Sequence, residues 1–315
     1  MLCEFRRTAS RTCLAIVALL VFLSACSKTE KPSIKVFASP DEAGDAVLQA
    51  AKSGDQAAVL AIFGPESKDI IYSGDAVQDK SAVERFINAY QVMHRWRMMR
   101  DGSQDLLVGA DNYPFPIPLK KNASGQWYFD IAAGKDEILA RRIGRNELAV
   151  IDVCAALADA QHEYFSQPRN GEKTKQYALK FISDPGTQDG LYWDSPPDQP
   201  RSPLGPLAAF ASNEGYSVKP EAHQPFHGYY FRLLTKQGSK APGGAKDYVV
   251  NGKLTGGFAF LAYPAEYRNS GVMTFTVGPD GVVYQKDLGA KTSDIAAAMT
   301  EYDPGDGWAN VAAGE

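Results

Sequence analysis

Cysteine and histidine are scarce in this sequence, which contains four of each among 315 residues. The four histidines are His94, His162, His223 and His227. They form no His-Glu-x-x-His pattern, and no pair of cysteines has the spacing of zinc ligands. His223 and His227 are four residues apart, but Pro225 and Gly228 oppose the helix that would align them. We therefore expect neither a metal site nor any other cofactor.

The sequence also lacks the Gly-x-Ser-x-Gly motif of serine hydrolases. Asn269-Ser270-Gly271 lies between two predicted strands, a setting typical of a turn rather than of the elbow that exposes a nucleophile. The chain has 33 basic and 37 acidic residues, a net charge of −4. Because nucleic acid partners require a basic surface, this balance opposes general binding to nucleic acid.

The first 26 residues have the order of parts found in a bacterial export signal. Three arginines precede an uncharged apolar run over residues 13–22. That run is shorter than the roughly 20 residues that a membrane-spanning helix needs. It leads into Leu23-Ser24-Ala25-Cys26, which resembles the lipobox of bacterial lipoproteins. The resemblance implies thioether lipidation of Cys26 and cleavage of the chain immediately before it.

Lipidation of Cys26 predicts where the mature chain lies. The acyl groups would anchor it in a lipid bilayer of the cell envelope, facing the periplasm, and Ser27 in place of Asp favours the outer membrane. Removing residues 1–25, which carry three arginines and one glutamate, changes the net charge from −4 to −6. Cys154 is then the only free thiol, so no intramolecular disulfide can form. Its position on an apolar helix face predicts a buried, inert group.

The patterns divide the chain into four segments: a lipoprotein signal peptide (1–25), a flexible tether (26–38), an N-terminal α+β domain (39–133), and a long helix with a C-terminal antiparallel-sheet domain (134–315). In the N-terminal domain, periodicity and capping residues predict helices at 39–52, 55–63 and 79–93. Strands are predicted at 96–99, 106–108, 115–119 and 127–131. Helices followed by a curled antiparallel sheet resemble the nuclear-transport-factor-2-like fold.

The second half begins with a predicted helix of about 30 residues, 135–165, whose apolar residues recur at steps of three and four. A shorter helix at 174–181 and an irregular region at 183–203 follow. Strands are predicted at 228–235, 257–263, 272–277 and 282–286, with a hairpin turn at 278–281 and a closing helix at 292–302. A long helix packed on an antiparallel sheet resembles the globular half of type IV pilins. The overall fold class is therefore α+β.

Several short sequence motifs, taken together, resemble those of the bacterial lipoprotein-like family catalogued as domain of unknown function 2950. They occur in order along nearly the whole mature chain and include Ile62-Phe63-Gly64-Pro65, Tyr113-Pro114-Phe115-Pro116, Arg141-Arg142-Ile143-Gly144-Arg145-Asn146-Glu147, Asp189-Gly190-Leu191-Tyr192-Trp193, His227-Gly228-Tyr229-Tyr230-Phe231 and Tyr267-Arg268-Asn269-Ser270-Gly271-Val272-Met273. The resemblance implies an envelope location and a two-part α+β build. It implies no reaction, ligand or catalytic residue.

Aromatic residues within these motifs are candidates for a binding surface. The candidates are Tyr113, Tyr192, Trp193, His227 and Tyr229. Amphipathic rings beside proline-rich backbone can form a groove for a peptide or a glycan, because they supply apolar contact together with polar tips. Core packing and anchoring of loops are the alternative roles for the same side chains.

Three functions remain open from the sequence. The first is a non-enzymatic, membrane-tethered envelope protein that binds or scaffolds another envelope component through its aromatic loops. The second is a cell-wall-modifying hydrolase in which Asp184, Asp189 and Asp194 of the irregular region supply an acid and a base. The third, which follows from the pilin-like half, is an accessory protein of a pilus or secretion system.

Overall fold

The computed structural model describes residues 34–196, 198–219 and 224–314. Its main elements are two antiparallel sheets and one long helix that packs against both. The predicted signal peptide, Cys26, most of the predicted tether and His223 lie outside the described residues. None of the helices in the described ranges has the length and hydropathy needed to cross a membrane.

The N-terminal half starts with four helices, and two of them have the caps that the sequence predicts. Ser39 accepts a hydrogen bond from the backbone N–H of Glu42 (3.2 Å) at the start of the first helix, and Gly54 ends that helix with a left-handed φ of 65°. Asp55 accepts from the N–H of Ala57 and caps the second helix. The four helices are α1 (Pro40–Ser53), α2 (Gln56–Phe63), α3 (Lys68–Ile71) and α4 (Ala76–Val92).

The N-terminal sheet packs against these helices. Its strands are β1 (His94–Met98), β2 (Gln104–Val108), β3 (Tyr113–Pro114), β4 (Leu119–Lys121) and β5 (Trp127–Phe129). They run antiparallel in the order β1-β2-β4-β5, and β3 also pairs with β2. The strand predicted at 115–119 is mostly wrong, because prolines at 116 and 118 have no N–H to donate to a neighbouring strand. The core includes Phe37, Phe63 and Phe129.

The predicted long helix is confirmed as α5 (Ile131–Phe165), a helix of 35 residues capped by Asp130. Its first part contributes Ile131 to the N-terminal core. Its second part contributes the buried side chains of Val150, Cys154, Leu157 and Tyr164 to the C-terminal core. Because one helix supplies both cores, it fixes the position of one sheet relative to the other within the compact unit that contains all described residues. The domain division at residue 133 stays a prediction.

The C-terminal half is built mainly from strands, which pack against α5. After α5 come β6 (Lys180–Ile182), β7 (Gly190–Tyr192), α6 (Gly205–Glu214), β8 (Tyr229–Leu234), β9 (Lys236–Gln237), β10 (Lys246–Asp247), β11 (Val249–Val250), β12 (Lys253–Leu254), β13 (Ala259–Pro264), β14 (Met273–Val277), β15 (Val283–Asp287), α7 (Thr292–Ala298), β16 (Glu301–Tyr302) and β17 (Ala309–Asn310). The main sheet has the order β17-β15-β14-β13-β8 and is antiparallel throughout. The four long predicted strands and the hairpin turn are confirmed.

Three predictions for this half are wrong. The helix predicted at 174–181 does not form, because the side-chain amide of buried Gln161 bonds both the N–H and the C=O of Ala178 and holds that segment extended. The region predicted as irregular contains β7, which pairs in parallel with β6. The closing helix ends at Ala298, because Glu301–Tyr302 leaves it to pair with β9. The α+β class itself is confirmed.

Candidate functional site

A cluster of polar residues lies where α4, α5 and α6 meet the turn before β8, and we refer to it as the polar junction. Its members come from four parts of the chain, the most distant of them 152 residues apart, and are Asp75, Gln78, Asn146, Glu214, Tyr216 and His227. Four of its members are buried, Gln78 is half-buried, and Glu214 is exposed at its edge. Asp75 caps α4, Gln78 lies in its first turn, and Asn146 lies in the middle of α5. The polar junction therefore brings together two of the motifs that resemble the family, the one that contains Asn146 and the one that contains His227.

Both ring nitrogens of His227 have partners in the polar junction. The amide nitrogen of Gln78 lies 3.2 Å from Nδ1 and also donates to Oδ1 of Asn146 at 2.9 Å. Because that nitrogen can only donate, Nδ1 must accept, which places the ring proton on Nε2. Nε2 then donates to Glu214 Oε2 at 3.1 Å. The arrangement thus holds one neutral tautomer of the imidazole.

The carboxylate of Asp75 bonds to groups from three parts of the chain: the first turn of α4, the segment after α6 and the turn before β8. It accepts hydrogen bonds from the N–H of Gln78 (3.1 Å), the hydroxyl of Tyr216 (2.8 Å) and the N–H of Gly228 (3.0 Å). The last of these bonds depends on a tight turn, since His227 and Gly228 have φ angles of 50° and 72°. A methyl group on Gly228 would lie 2.6 Å from the amide nitrogen of Asn146, so only glycine fits at this position.

Burial in the polar junction favours the uncharged forms of His227 and Tyr216. Burial lowers the pKa of His227, and this effect outweighs the opposing influence of Glu214 and Asp75. Burial and the hydrogen bond to Asp75 raise the pKa of Tyr216. The neutral imidazole of His227 and the protonated phenol of Tyr216 therefore act as hydrogen-bonding links between secondary-structure elements. Because both ring nitrogens of His227 are already bonded, neither is free for proton transfer.

Arg142 of α5 extends the polar junction toward α3. Its guanidinium is buried and donates to the backbone oxygens of Ile70 (2.5 Å) and Ile71 (3.1 Å) and to the side chain of Asn269. Burial lowers the pKa of Arg142, while the nearby Asp79 opposes that shift. These bonds connect the end of α3 to the loop between β13 and β14.

The aromatic candidates lie in separate places, and no two of their rings are in contact within the described residues. The ring of Tyr113 is 56% exposed and lies 4.7 Å from the guanidinium carbon of Arg141. Tyr192 and Trp193 are half-buried at the end of β7, where Arg169 stacks on Trp193 at 5.0 Å. Tyr229 is fully buried, and its hydroxyl donates to the carbonyl of Met273, so it serves the core and offers no exposed ring.

The loop carboxylates form a small ion-paired turn. Lys180 Nζ lies 2.6 Å from both Asp184 and Asp189. Partial burial acts to raise the pKa of Asp189, but hydrogen bonds from Lys180 and Thr187 outweigh it and hold that pKa below its ordinary value. A carboxyl with a lowered pKa is a poor general acid. Asp194 is exposed and lies beyond the end of β7.

Neither candidate nucleophile is accessible. The thiol of Cys154 is fully buried, and burial raises its pKa to about 12, so the expected inert thiol is confirmed. Ser270 is buried in the turn between β13 and β14, where its hydroxyl accepts from the N–H of Glu266 at 2.9 Å. It is a turn residue, as the sequence predicts.

Several members of the polar junction could not have been identified from the sequence. Asp75 carries a local signal, since an Asp before a helix is a typical N-cap. Gln78, Glu214 and Tyr216 carry none, because only the packing of α4 and α6 brings them to His227.

The fold and the polar junction together define an α+β protein whose buried polar groups connect its elements. The chain belongs to the family described as protein of unknown function (DUF2950), whose model matches residues 34–311. The predicted family membership is therefore confirmed. Comparisons with curated proteins and with solved structures gave no match.

Proposed function

We propose that this protein is a lipid-anchored envelope protein, facing the periplasm from the outer membrane, that binds another envelope component without catalysing a reaction. The observation that carries the anchor is the order of parts in residues 1–26: basic residues, a short apolar run, small residues and then Cys26. We also propose that the N-terminal half has a nuclear-transport-factor-2-like fold and that the C-terminal half has a pilin-like fold.

The states of the reactive side chains support a binding role. His227, Asp189 and Cys154 are each engaged by neighbours or buried, as described above. The hydrolase alternative would require Asp189 to give up Lys180 before it could act as an acid. Tyr113, by contrast, is exposed, and Trp193 is half-buried and so keeps part of its surface open to solvent. A peptide or a glycan of the envelope is the class of partner that such rings fit.

The anchor is tested by labelling cells with radioactive palmitate. We expect the native chain to incorporate label and the Cys26→Ala variant to incorporate none. Cys13→Ala is the matched control, because Cys13 lies in the apolar run of the signal and should leave labelling intact. Label that persists in the Cys26→Ala variant would refute the lipidation.

The binding role is tested by purifying the tagged chain from detergent-solubilised membranes. We expect an enriched protein or glycan that is lost or reduced in the Tyr113→Ala and Trp193→Ala variants. Tyr128→Ala is the control, because Tyr128 is a half-buried aromatic residue on β5 outside both segments. Enrichment of nothing across several growth conditions would contradict the proposal.

The accessory role in a pilus or secretion system depends on the pilin-like half. The observation that favours it is the packing of α5 on the strands of the main C-terminal sheet. Deleting the gene should then abolish assembly of a pseudopilus, and normal assembly in the deletion strain would exclude this role.

A further inference from the structure

The strand at the edge of the N-terminal sheet has an unusual surface. We call residues 92–100, which comprise the end of α4, β1 and the turn after it, the β1 strip. Val92 is 70% exposed and Met98 is 73% exposed, and Met93 and Met99 are each 38% exposed. Single exposed apolar residues are common, but here four lie within nine consecutive residues, and clustered exposed apolar side chains mark interaction surfaces.

The β1 strip is also basic. It contains Arg95, Arg97 and Arg100, all of them exposed, and no acidic residue. Arg97 pairs with Asp105 at 2.9 Å, whereas neither Arg95 nor Arg100 has a carboxylate partner among the residues that the structure describes. The next acid along the chain, Asp101, accepts hydrogen bonds from Ser103. The β1 strip is thus positively charged, whereas the whole chain carries a net charge of −4.

A second copy of this chain is a poor partner for the strip. Among the residues that the structure describes, β1 pairs only with β2, and its other edge has no strand beside it. Antiparallel pairing of two β1 strands about Trp96 would place Arg95 directly opposite Arg97 of the other copy, and like charges in that position are destabilising. Arginines on an edge strand protect it from such pairing. That protection does not account for the exposed side chains of Val92 and Met98.

We propose that the β1 strip docks on the headgroup surface of a bilayer that contains anionic phospholipid. The arginines would bind lipid phosphates, and the methionines and Val92 would enter the boundary between headgroups and acyl chains. The proposal rests on the proposed function, because the anchor at Cys26 brings the chain to a bilayer. Docking would then hold the folded part against the membrane.

The geometry of the sheet lets the anchor and the strip reach one bilayer together. Phe37 pairs with Trp127 of β5, so the described chain begins at the edge of the sheet opposite β1. From Phe37 to β1, the order Phe37-β5-β4-β2-β1 spans four strand spacings, about 19 Å. A chain from Cys26 to Phe37 can extend over roughly 35 Å. The tether is therefore longer than the sheet is wide.

The first test measures binding of residues 27–315, without the acyl anchor, to vesicles. Residues 32–315 form their own compact unit, which makes this chain a suitable probe. We expect binding to vesicles of phosphatidylcholine mixed with phosphatidylglycerol and little binding to phosphatidylcholine alone. Each arginine near an anionic surface contributes about fivefold in partitioning, so Arg95→Glu with Arg100→Glu should lower it by at least about 25-fold.

The matched control for charge is Lys173→Glu with Lys175→Glu, which reverses two exposed basic residues in the loop after α5. We expect this pair to retain at least half of the native binding. Circular dichroism of each variant checks that the chain is folded. Equal binding by the arginine variant and the lysine control, or no binding to anionic vesicles, would overturn the proposal.

The second test asks whether the strip itself enters the membrane. An environment-sensitive dye attached through Met98→Cys should shift to the blue on anionic vesicles. Leu148→Cys is the control, because Leu148 is 68% exposed on α5, away from the strip. Cys154 is fully buried and does not compete for the dye. No shift at Met98, or equal shifts at both positions, contradicts docking by the strip.

Vesicle binding without palmitate labelling would refute the anchor alone, and labelling without vesicle binding would refute docking alone.

Discussion

Replacing Asp75 by alanine should destabilise the protein far more than the loss of an ordinary helix cap. The substitution removes the cap of α4, for which mutational studies give about 1 kcal/mol. It also leaves the Tyr216 hydroxyl and the N–H of Gly228 buried without their acceptor, at about 1–3 kcal/mol for each donor. The expected loss in the free energy of unfolding is therefore about 3–7 kcal/mol.

The matched control is Asp55→Ala. Asp55 caps α2 in the same way, but it is exposed, and its carboxylate accepts only from the N–H of Ala57 among the described residues. We expect that variant to lose about 1 kcal/mol. The difference between the two variants isolates the hydrogen bonds that Asp75 makes to Tyr216 and Gly228. Asp75→Asn, which keeps one acceptor oxygen, should lie between them.

Differential scanning calorimetry of residues 27–315 measures both effects. An unfolding entropy of about 2.1 cal/mol/K per residue implies about 0.6 kcal/mol per degree for a chain of this size. We therefore expect Tm to fall by about 5–12 °C for Asp75→Ala and by about 2 °C for Asp55→Ala. Equal shifts in the two variants would show that the polar junction contributes no stability beyond the cap.

Three further outcomes follow from the structure. Because the pKa of His227 is lower in the folded chain than the value of about 6.5 expected when unfolded, its stabilising contribution is complete above that value. It is lost as the pH falls through the folded pKa, so the urea midpoint should drop on acidification, and less so in His227→Gln. Cys154 should react with a thiol-specific dye only as fast as the whole chain unfolds; faster labelling in native buffer would refute its burial. Lys180→Met should speed proteolytic cleavage at residues 183–189, whereas Lys175→Met should not; equal rates would show that the ion pairs do not order the turn.

Local signals determined much of the secondary structure. Ser39 and Gly54 mark the two ends of α1, and the apolar period of α5 marks that helix over nearly its full length. Strands β14 and β15 were predictable because their apolar runs are separated by a hairpin turn with proline and glycine. In each case the residues that specify the element are neighbours in the sequence.

Segments whose conformation depends on distant partners were predicted wrongly. Residues 174–181 have an apolar period compatible with a helix, but the amide of Gln161 bonds Ala178 and stabilises an extended backbone. The predicted aromatic groove combined residues from separate surfaces, and Tyr229 proved to lie in the core. Periodicity records which face of an element is apolar, and it does not record what that face contacts.

The sequence by itself determined the α+β class, the family, and the expectation of an anchor at Cys26, because each of these depends on the order of residues along the chain. Only the tertiary structure decided that His227 lies between Gln78 and Glu214 and that Asp189 is held by Lys180. It also decided that the apolar side chains of the β1 strip stay exposed, because β1 lies at the edge of its sheet. Burial and hydrogen bonding between distant segments set those roles, and no local pattern encodes them.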